Sequence, residues 1–144
     1  MTTTFRSDIA GGLHTILTGF AAANPTLLRR AFRARPASWT TDTPCAWVET
    51  RNETVTHDSG LRMRAMTPSV VVVDRLTDNI ETMDRMDDLV DALLDYLTAN
   101  PHIASNTVWD QLTITDETDQ LPDGSWITAV RFSFGNVNVR EGRS

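Results

Sequence analysis

Three aspartates near the middle of the chain stand in a spacing that some enzymes use to hold magnesium. They belong to the string Asp87-Asp88-Leu89-Val90-Asp91. A magnesium site needs carboxylate oxygens that converge on octahedral geometry, usually with substrate phosphates present. The string therefore raises two alternatives, a metal-dependent enzyme or an acidic face on an ordinary helix.

The residues around this string have the apolar spacing of an amphipathic helix. Asp78 and Glu81 have capping-box spacing at its start, and Asn100-Pro101 ends it. The predicted apolar stripe comprises Ile80, Met83, Met86, Leu89, Val90, Leu93, Leu94 and Leu97. At about 100° per residue, five acids share an arc of roughly 80° beside that stripe. These five are Glu81, Asp84, Asp88, Asp91 and Asp95.

Asp87 falls outside the acidic arc, at the edge of the apolar stripe, so Asp87 and Asp88 are predicted to point to different sides of the helix. The prenyl-transfer enzymes that use this string also need a large all-helical body, which a strand-rich chain of 144 residues does not provide. The sequence therefore favours a solvated or pore-facing acidic surface, and we predict no metal site, no cofactor and no catalytic residue.

The other residues with chemical potential are isolated from one another. His14, His57 and His102 have no metal-ligand spacing and are interpreted as surface residues. Cys45 is the single cysteine, which excludes an internal disulfide and fits a reducing cytoplasm, and its place at the start of an apolar strand predicts a core position. The chain has no phosphate loop, no GxSxG and no dinucleotide fingerprint.

Charge is unevenly distributed along the chain. The net charge of −6 argues against a general nucleic-acid binder, and all thirteen basic residues are arginine. Arg29, Arg30, Arg33 and Arg35 cluster near the N-terminus, whereas acids dominate from position 74 to 123. Such a chain can associate with copies of itself, basic face to acidic face. We therefore predict that the four arginines make intersubunit contacts, the alternative being a solvated face.

Trp39 stands in a polar loop and is a candidate anchor of the same interface, unless it packs back over its own domain. No apolar run approaches the roughly 18 residues of a membrane helix. No signal peptide is visible, and the length favours a single domain over residues 1–144.

Helical and strand patterns alternate along the chain. A first helix is predicted from Ser7 to Asn24, a second short one from Thr26 to Arg35, and a loop from 37 to 44. The predicted strands cover 45–50, a hairpin over 53–64 around Asp58-Ser59-Gly60, a central strand over 69–74, and residues 108–115 and 126–139. Residues 116–124 are predicted to form a polar turn, and Gly135, where the apolar phase slips by one, a β-bulge.

This order of helix, strands, helix and strands predicts an α+β domain. We expect a mixed, mostly antiparallel sheet with the helices packed on one face.

The layout resembles that of the tail terminator (tail completion) proteins of long-tailed bacteriophages. The resemblance spans nearly the whole chain and is carried by the segments "SDIAGGLHTIL", "PCAWVE", "PSVVVVDR", "MDDLVDALLDYLTANP" and "WITAVRFSFGNVNV". It implies a structural virion protein, typically a hexameric ring closed by head-to-tail contacts, which caps the tail tube and offers the surface where the filled head docks.

The resemblance also implies the partners: further copies of the chain, the tail tube protein and a head–tail connector or neck protein, with assembly in the host cytoplasm. DNA would pass through the lumen without specific binding, and an acidic stripe lining it would keep phosphates from sticking. Two alternatives remain open, another neck or head-completion ring protein and a small metal-dependent enzyme that uses the acidic helix.

Overall fold

The computed structural model describes residues 5–37, 43–75, 79–104, 107–135 and 137–141, and within them the chain is an α+β domain. The helices are α1 (Phe5–Ala23) and α2 (Asn79–Ala99). The strands are β1 (Arg30–Phe32), β2 (Cys45–Asp58), β3 (Leu61–Arg75), β4 (His102–Ala104), β5 (Thr107–Val108), β6 (Leu112–Gln120), β7 (Trp126–Phe134) and β8 (Val137–Glu141).

One mixed sheet dominates the fold. Its strand order is β1-β2-β3-β7-β6, and β8 pairs with the part of β3 that β7 leaves open. The β1–β2 pair is parallel and the other pairs in this sheet are antiparallel, whereas β4 and β5 form a separate two-stranded sheet. The predicted fold class is confirmed. The valines at 70–73 are buried between β2 and β7, so the predicted central strand is also confirmed.

A long hairpin joins β2 to β3 through a two-residue turn. Ser59 and Gly60 have φ angles of 50° and 81°, and such a turn with positive φ at both positions matches the right-handed twist of paired strands. The pairing register shifts once, between Arg51 and Glu53. β8 joins the far half of this hairpin, so that β2, β3 and β8 form a three-stranded arm.

The main core lies between the two helices and one face of the sheet. The fully buried side chains of α1 and α2 pack there against Val70, Val72, Phe132 and Phe134. The helical members are Ile9, Leu13, Leu17, Phe20, Met86, Leu89, Leu93 and Leu97. Both helices therefore lie on the same face, which we call the helix face. No helix in the described part of the chain is long and apolar enough to cross a membrane.

The opposite face of the sheet, here called the second face, buries a smaller apolar cluster. It consists of Cys45, Trp47, Val71, Val73, Ile127 and Ala129, with Phe32 and Leu121 against it. The predicted core position of Cys45 is confirmed, because its side chain is fully buried in this cluster.

The short helix predicted from Thr26 to Arg35 is wrong. The chain turns after Pro25 and forms the edge strand β1, and the backbone N–H of Arg29 donates to the Pro44 carbonyl at 2.8 Å. Prolines at 25 and 36 leave little room for a helix that must first form a costly nucleus. Pairing with β2 instead gives the peptide groups of residues 30–32 hydrogen-bond partners without a helical nucleus.

The polar turn predicted over 116–124 is wrong for residues 116–120 and confirmed around Pro122-Asp123-Gly124. β6 continues to Gln120, and the turn to β7 contains only residues 121–125, with Gly124 at a φ of 91°. The predicted strand over 108–115 divides, because β5 ends at Val108 and β6 begins at Leu112. Regular pairing of β6 with β7 along its whole length outweighs the low strand propensity of its acidic residues.

The β-bulge predicted at Gly135 is confirmed. Ser69 pairs with Ser133, and Met66 pairs with Val137. The two pairs are three residues apart on β3 but four residues apart on the opposing chain, which therefore contains one extra residue. A side chain at position 135 would place a Cβ 2.9 Å from the Cβ of Gln111, and the Gly135 N–H donates to the Gln111 carbonyl at 2.8 Å. Glycine thus allows the close approach that redirects the strand into the arm.

The buried face of α2 leads to a first testable prediction. Leu93 is fully buried in the main core, whereas Ile80 of the same helix is 77% exposed. We expect Leu93→Ala to lower the free energy of unfolding by about 2–5 kcal/mol through lost burial and a residual cavity. Ile80→Ala, the matched control, should change it by less than about 0.5 kcal/mol. Urea unfolding of the two variants measures this difference, and equal effects would contradict the packing of α2 described here.

Candidate assembly surfaces

The five acids of α2 form one exposed face. Glu81, Asp84, Asp88, Asp91 and Asp95 are all exposed, and Asp87 is exposed as well. The buried face comprises Thr82, Met86, Leu89, Leu93 and Leu97. At about 100° per residue the acidic arc lies across the helix from that buried face. We call these five residues the acidic stripe.

Two details of the α2 prediction need correction. Ile80 and Met83 were expected in the apolar stripe, but they are 77% and 40% exposed, whereas Thr82 is the fully buried residue of the first turns. The buried face is therefore narrower than predicted. As a consequence, the acidic stripe faces away from the core rather than lying beside it, and Asp87 is not at the edge of the core.

The aspartates of the opening string do not converge. Within the described residues, no group of three or more histidines, cysteines, aspartates or glutamates is arranged to hold a metal ion. His57 and His102 are exposed, as expected of surface histidines. His14 is partly exposed, and its Nε2 lies 3.5 Å from the Thr18 hydroxyl one helical turn away.

The four clustered arginines surround β1, at one edge of the sheet. Arg29, Arg30, Arg33 and Arg35 are all exposed. The guanidinium of Arg33 donates to the Ser7 hydroxyl at 3.0 Å, which ties this edge to the first turns of α1. We call these four residues the basic edge. Trp39, the other predicted interface residue, lies outside the described residues.

Aromatic rings orient two arginines of the basic edge. The guanidinium carbon of Arg30 lies 4.8 Å from the centroid of the Phe32 ring, and that of Arg35 lies 5.7 Å from the Trp47 ring. Such cation–π contacts contribute roughly 0.5–1 kcal/mol at exposed sites. They hold the two long side chains over aromatic rings of the second face.

Acidic residues line the opposite edge of the same sheet. Asp116, Glu117 and Asp119 lie on β6, which is the last strand of the sheet order, and all three are exposed. We call them the acidic edge. Sequence reasoning missed them as a structural group because it placed them in a turn. The alternation of Leu112, Thr113, Ile114 and Thr115 immediately before this segment was the available signal for a strand.

Arg131 links four strands of the sheet on the second face. Its Nη1 donates to Glu49 of β2 at 3.1 Å and to the Ser69 hydroxyl of β3 at 3.0 Å, and its Nε donates to Glu117 of β6 at 2.9 Å. Burial alone would lower the pKa of Arg131, but the hydrogen bonds and charges of Glu117 and Glu49 outweigh it and raise the pKa. Part of the negative charge of Glu117 is therefore already compensated within the subunit.

Asp74 is the buried carboxylate at the junction of β3 and α2. Its side chain is only 7% exposed and accepts hydrogen bonds from the Arg85 guanidinium and from the Arg75 backbone N–H, both at 2.8 Å. The hydrogen bond and charge of Asp74 raise the pKa of Arg85. A cleft of about 370 Å³ lies beside this pair and is lined by Thr26, Thr43, Pro44, Asp74, Arg75 and Arg85. The paired carboxylate fixes the start of α2 against β3.

Comparisons with known proteins give matches among solved structures, of which 22 chains are similar to this one. No family model and no curated protein matches the chain. A chain of a solved structure described as "Virion of native gene transfer agent (GTA) particle" is similar, with a TM-score of 0.49 and 12% sequence identity over 94% of this chain and 95% of that chain.

The described surfaces define an α+β protein whose charge is separated in space. A basic edge lies at one end of the sheet order and an acidic edge at the other. The acidic stripe lies on the side of α2 that points away from the sheet. Opposite charges at two ends of one sheet can attract a second copy of the same protein.

Proposed function

We propose that the chain is a structural virion protein that forms a ring at the head-proximal end of a phage tail tube. The ring ends polymerisation of the tube and provides the surface on which the filled head docks, and DNA passes through its lumen. In this role the chain acts by shape and charge, without a cofactor or a catalytic residue.

The observation that carries this proposal is the placement of the basic and acidic edges at opposite ends of one sheet. A contact between two different patches of the same subunit is head-to-tail, and such contacts generate closed rings when the rotation between neighbours closes. The order of the elements, helix, hairpin, helix and further strands, also supports the proposal. It agrees with the layout by which the sequence resembles tail terminator proteins.

The proposed partners follow from this position. They are further copies of the chain in a hexameric ring, the tail tube protein on one side and a head–tail connector or neck protein on the other. The proposed location is the virion neck, after assembly in the host cytoplasm. Another neck or head-completion ring protein is the nearest alternative, and it shares the same head-to-tail contacts.

Light scattering after size separation, with and without isolated tail tubes, tests the proposed function. We expect a closed oligomer of defined mass, at least when tubes are present, since many assembly proteins close only on a template. Thermal unfolding in magnesium supplies the counter-test. A chain that stays monomeric with tubes and gains several degrees of Tm from magnesium would be a metal-dependent enzyme instead.

A further inference from the structure

The strands at the two charged edges, β1 and β6, run in opposite directions, as antiparallel pairing between neighbouring copies requires. β1 runs parallel to β2, whereas β3 is antiparallel to β2, β7 to β3 and β6 to β7. Three reversals separate β2 from β6, so β1 and β6 run in opposite directions. Rotation about a ring axis preserves the direction of every strand along that axis. The β6 strand of one copy can therefore meet β1 of the next only in antiparallel orientation, which is the predominant pairing of this sheet.

The charges also match face by face. Phe32 of β1 packs in the cluster of the second face, so alternation places Arg30 on that face too, and Arg35 lies over Trp47 of the same cluster. On β6, Leu112 packs against the main core, so alternation directs Asp116 to the helix face and Glu117 and Asp119 to the second face. Rotation about a ring axis also keeps each face on the same side of the ring. In a ring with β6 of one copy beside β1 of the next, Arg30 and Arg35 of one copy would approach Asp119 and Glu117 of the other.

The helix face also brings arginines of one copy near an acid of the next, where β1 and β6 would meet. Arg33 reaches from the basic edge to Ser7 of α1, which packs on the helix face. Arg29 precedes Arg30 and so points to the side opposite to it. Both therefore lie on the face to which Asp116 of the neighbouring copy points. Opposite charges on both faces define the register of an edge contact more narrowly than a single pair would.

We infer that the β6 edge of one copy adds to the β1 edge of the next, so that one sheet continues from subunit to subunit around the ring. The basic edge meets the acidic edge of the neighbour, with Arg30 and Arg35 opposite Glu117 and Asp119 on the second face. This pairing presupposes the ring proposed above and names the surfaces that close it. Backbone hydrogen bonds supply the contact, and the charges set its register and its partner.

The two edges differ in a way that suits controlled assembly. β1 has only three residues and is flanked by arginines, whereas β6 has nine residues and carries the acids. Short, charged edge strands protect a sheet from indiscriminate pairing. A free copy therefore forms a weak contact with another copy, and closure of the ring or the tail tube adds the remaining stabilisation.

Charge exchange between the edges tests this pairing. One variant carries Arg29→Glu, Arg30→Glu, Arg33→Glu and Arg35→Glu, a second carries Asp116→Arg and Asp119→Arg, and a third carries all six changes. Glu117 is left in place because it accepts the hydrogen bond of Arg131. Each full-length variant is mixed with isolated tail tubes, and ring formation is measured by light scattering and electron microscopy. We expect the first two variants to lose the ring and the third to regain it.

Disulfide trapping gives an independent measurement that does not depend on charge. The variant with Arg30→Cys and Asp119→Cys should oxidise into a ladder of covalent oligomers that ends at the closed ring, and either single substitution should leave the ladder absent. Cys45 is fully buried and stays in every variant.

Four outcomes decide between this pairing and other ring contacts. Recovery of the ring in the six-change variant, or a ladder from the two-cysteine variant, supports the β1–β6 contact. Wild-type rings together with failure of both experiments would overturn the pairing and leave the proposed function standing. Absence of rings from the wild-type chain with tail tubes would overturn both.

Discussion

Reversal of all four arginines of the basic edge to glutamate should abolish assembly and leave the far-ultraviolet circular dichroism of the monomer unchanged. Each exposed ion pair contributes about 0–1 kcal/mol, so a single substitution should be mild. Four reversals would replace attraction by repulsion at every contact of the proposed ring, so their effects on assembly would add up over all contacts. The fold should persist because all four side chains are exposed, and the Arg33–Ser7 hydrogen bond and the two cation–π contacts that are lost contribute only about 1 kcal/mol each.

The matched control keeps the charge at the same positions. A variant with Arg29→Lys, Arg30→Lys, Arg33→Lys and Arg35→Lys should still assemble if charge selects the partner, with some loss because lysine lacks the planar guanidinium. Sedimentation of the wild type and both variants with tail tubes measures the effect. Assembly of the glutamate variant at the wild-type level would show that the basic edge is a solvated face.

The acidic stripe gives the second large expected effect, on DNA passage. We predict that Asp84, Asp88, Asp91 and Asp95, together with Glu81, face the ring lumen or its mouth. Changing the four aspartates to asparagine should preserve the fold, because the side chains are exposed and the change removes mutual repulsion. It should slow DNA ejection or leave DNA stalled at the neck. Changing them to arginine should be worse, since phosphates would then find cationic partners.

Asp87 provides the control for the stripe. It is exposed on the same helix but lies outside the acidic arc, so Asp87→Asn should leave the rate of ejection unchanged. Time-resolved measurement of DNA release from assembled particles compares the variants. The variant in which the four aspartates are changed to arginine decides this point. If its particles eject DNA at the wild-type rate, the acidic stripe does not line the channel and lies on the outer wall of the ring.

Elements with strong periodic patterns were predictable from the sequence. The stripes of α1 and α2, the valines of β3 and the Asp58-Ser59-Gly60 turn each determine local structure through short-range spacing. The bulge at Gly135 was predictable because a phase slip at a glycine has few other structural solutions. These features depend on neighbouring residues and need little knowledge of the rest of the fold.

The misassigned segments depend on distant pairing. Residues 30–32 have a mixed pattern, and only the position of β2 makes them a strand. Acids at 116, 117 and 119 have low strand propensity, and β7 supplies the pairing that outweighs it. The acidic edge was therefore invisible as a group until the sheet order placed it opposite the basic edge. The arginine cluster, in contrast, was recognised directly from its composition.

Electron microscopy of tail ends from particles that contain this chain tests the central claim most directly. We expect an averaged map in which copies of the chain form a closed ring, most simply a hexamer, at the end of the tail tube that faces the head. In that map β6 of each copy should lie beside β1 of the next. A map with a single copy, with an open filament, or with the chain absent from the tail end would contradict the proposed place of this protein in a neck ring.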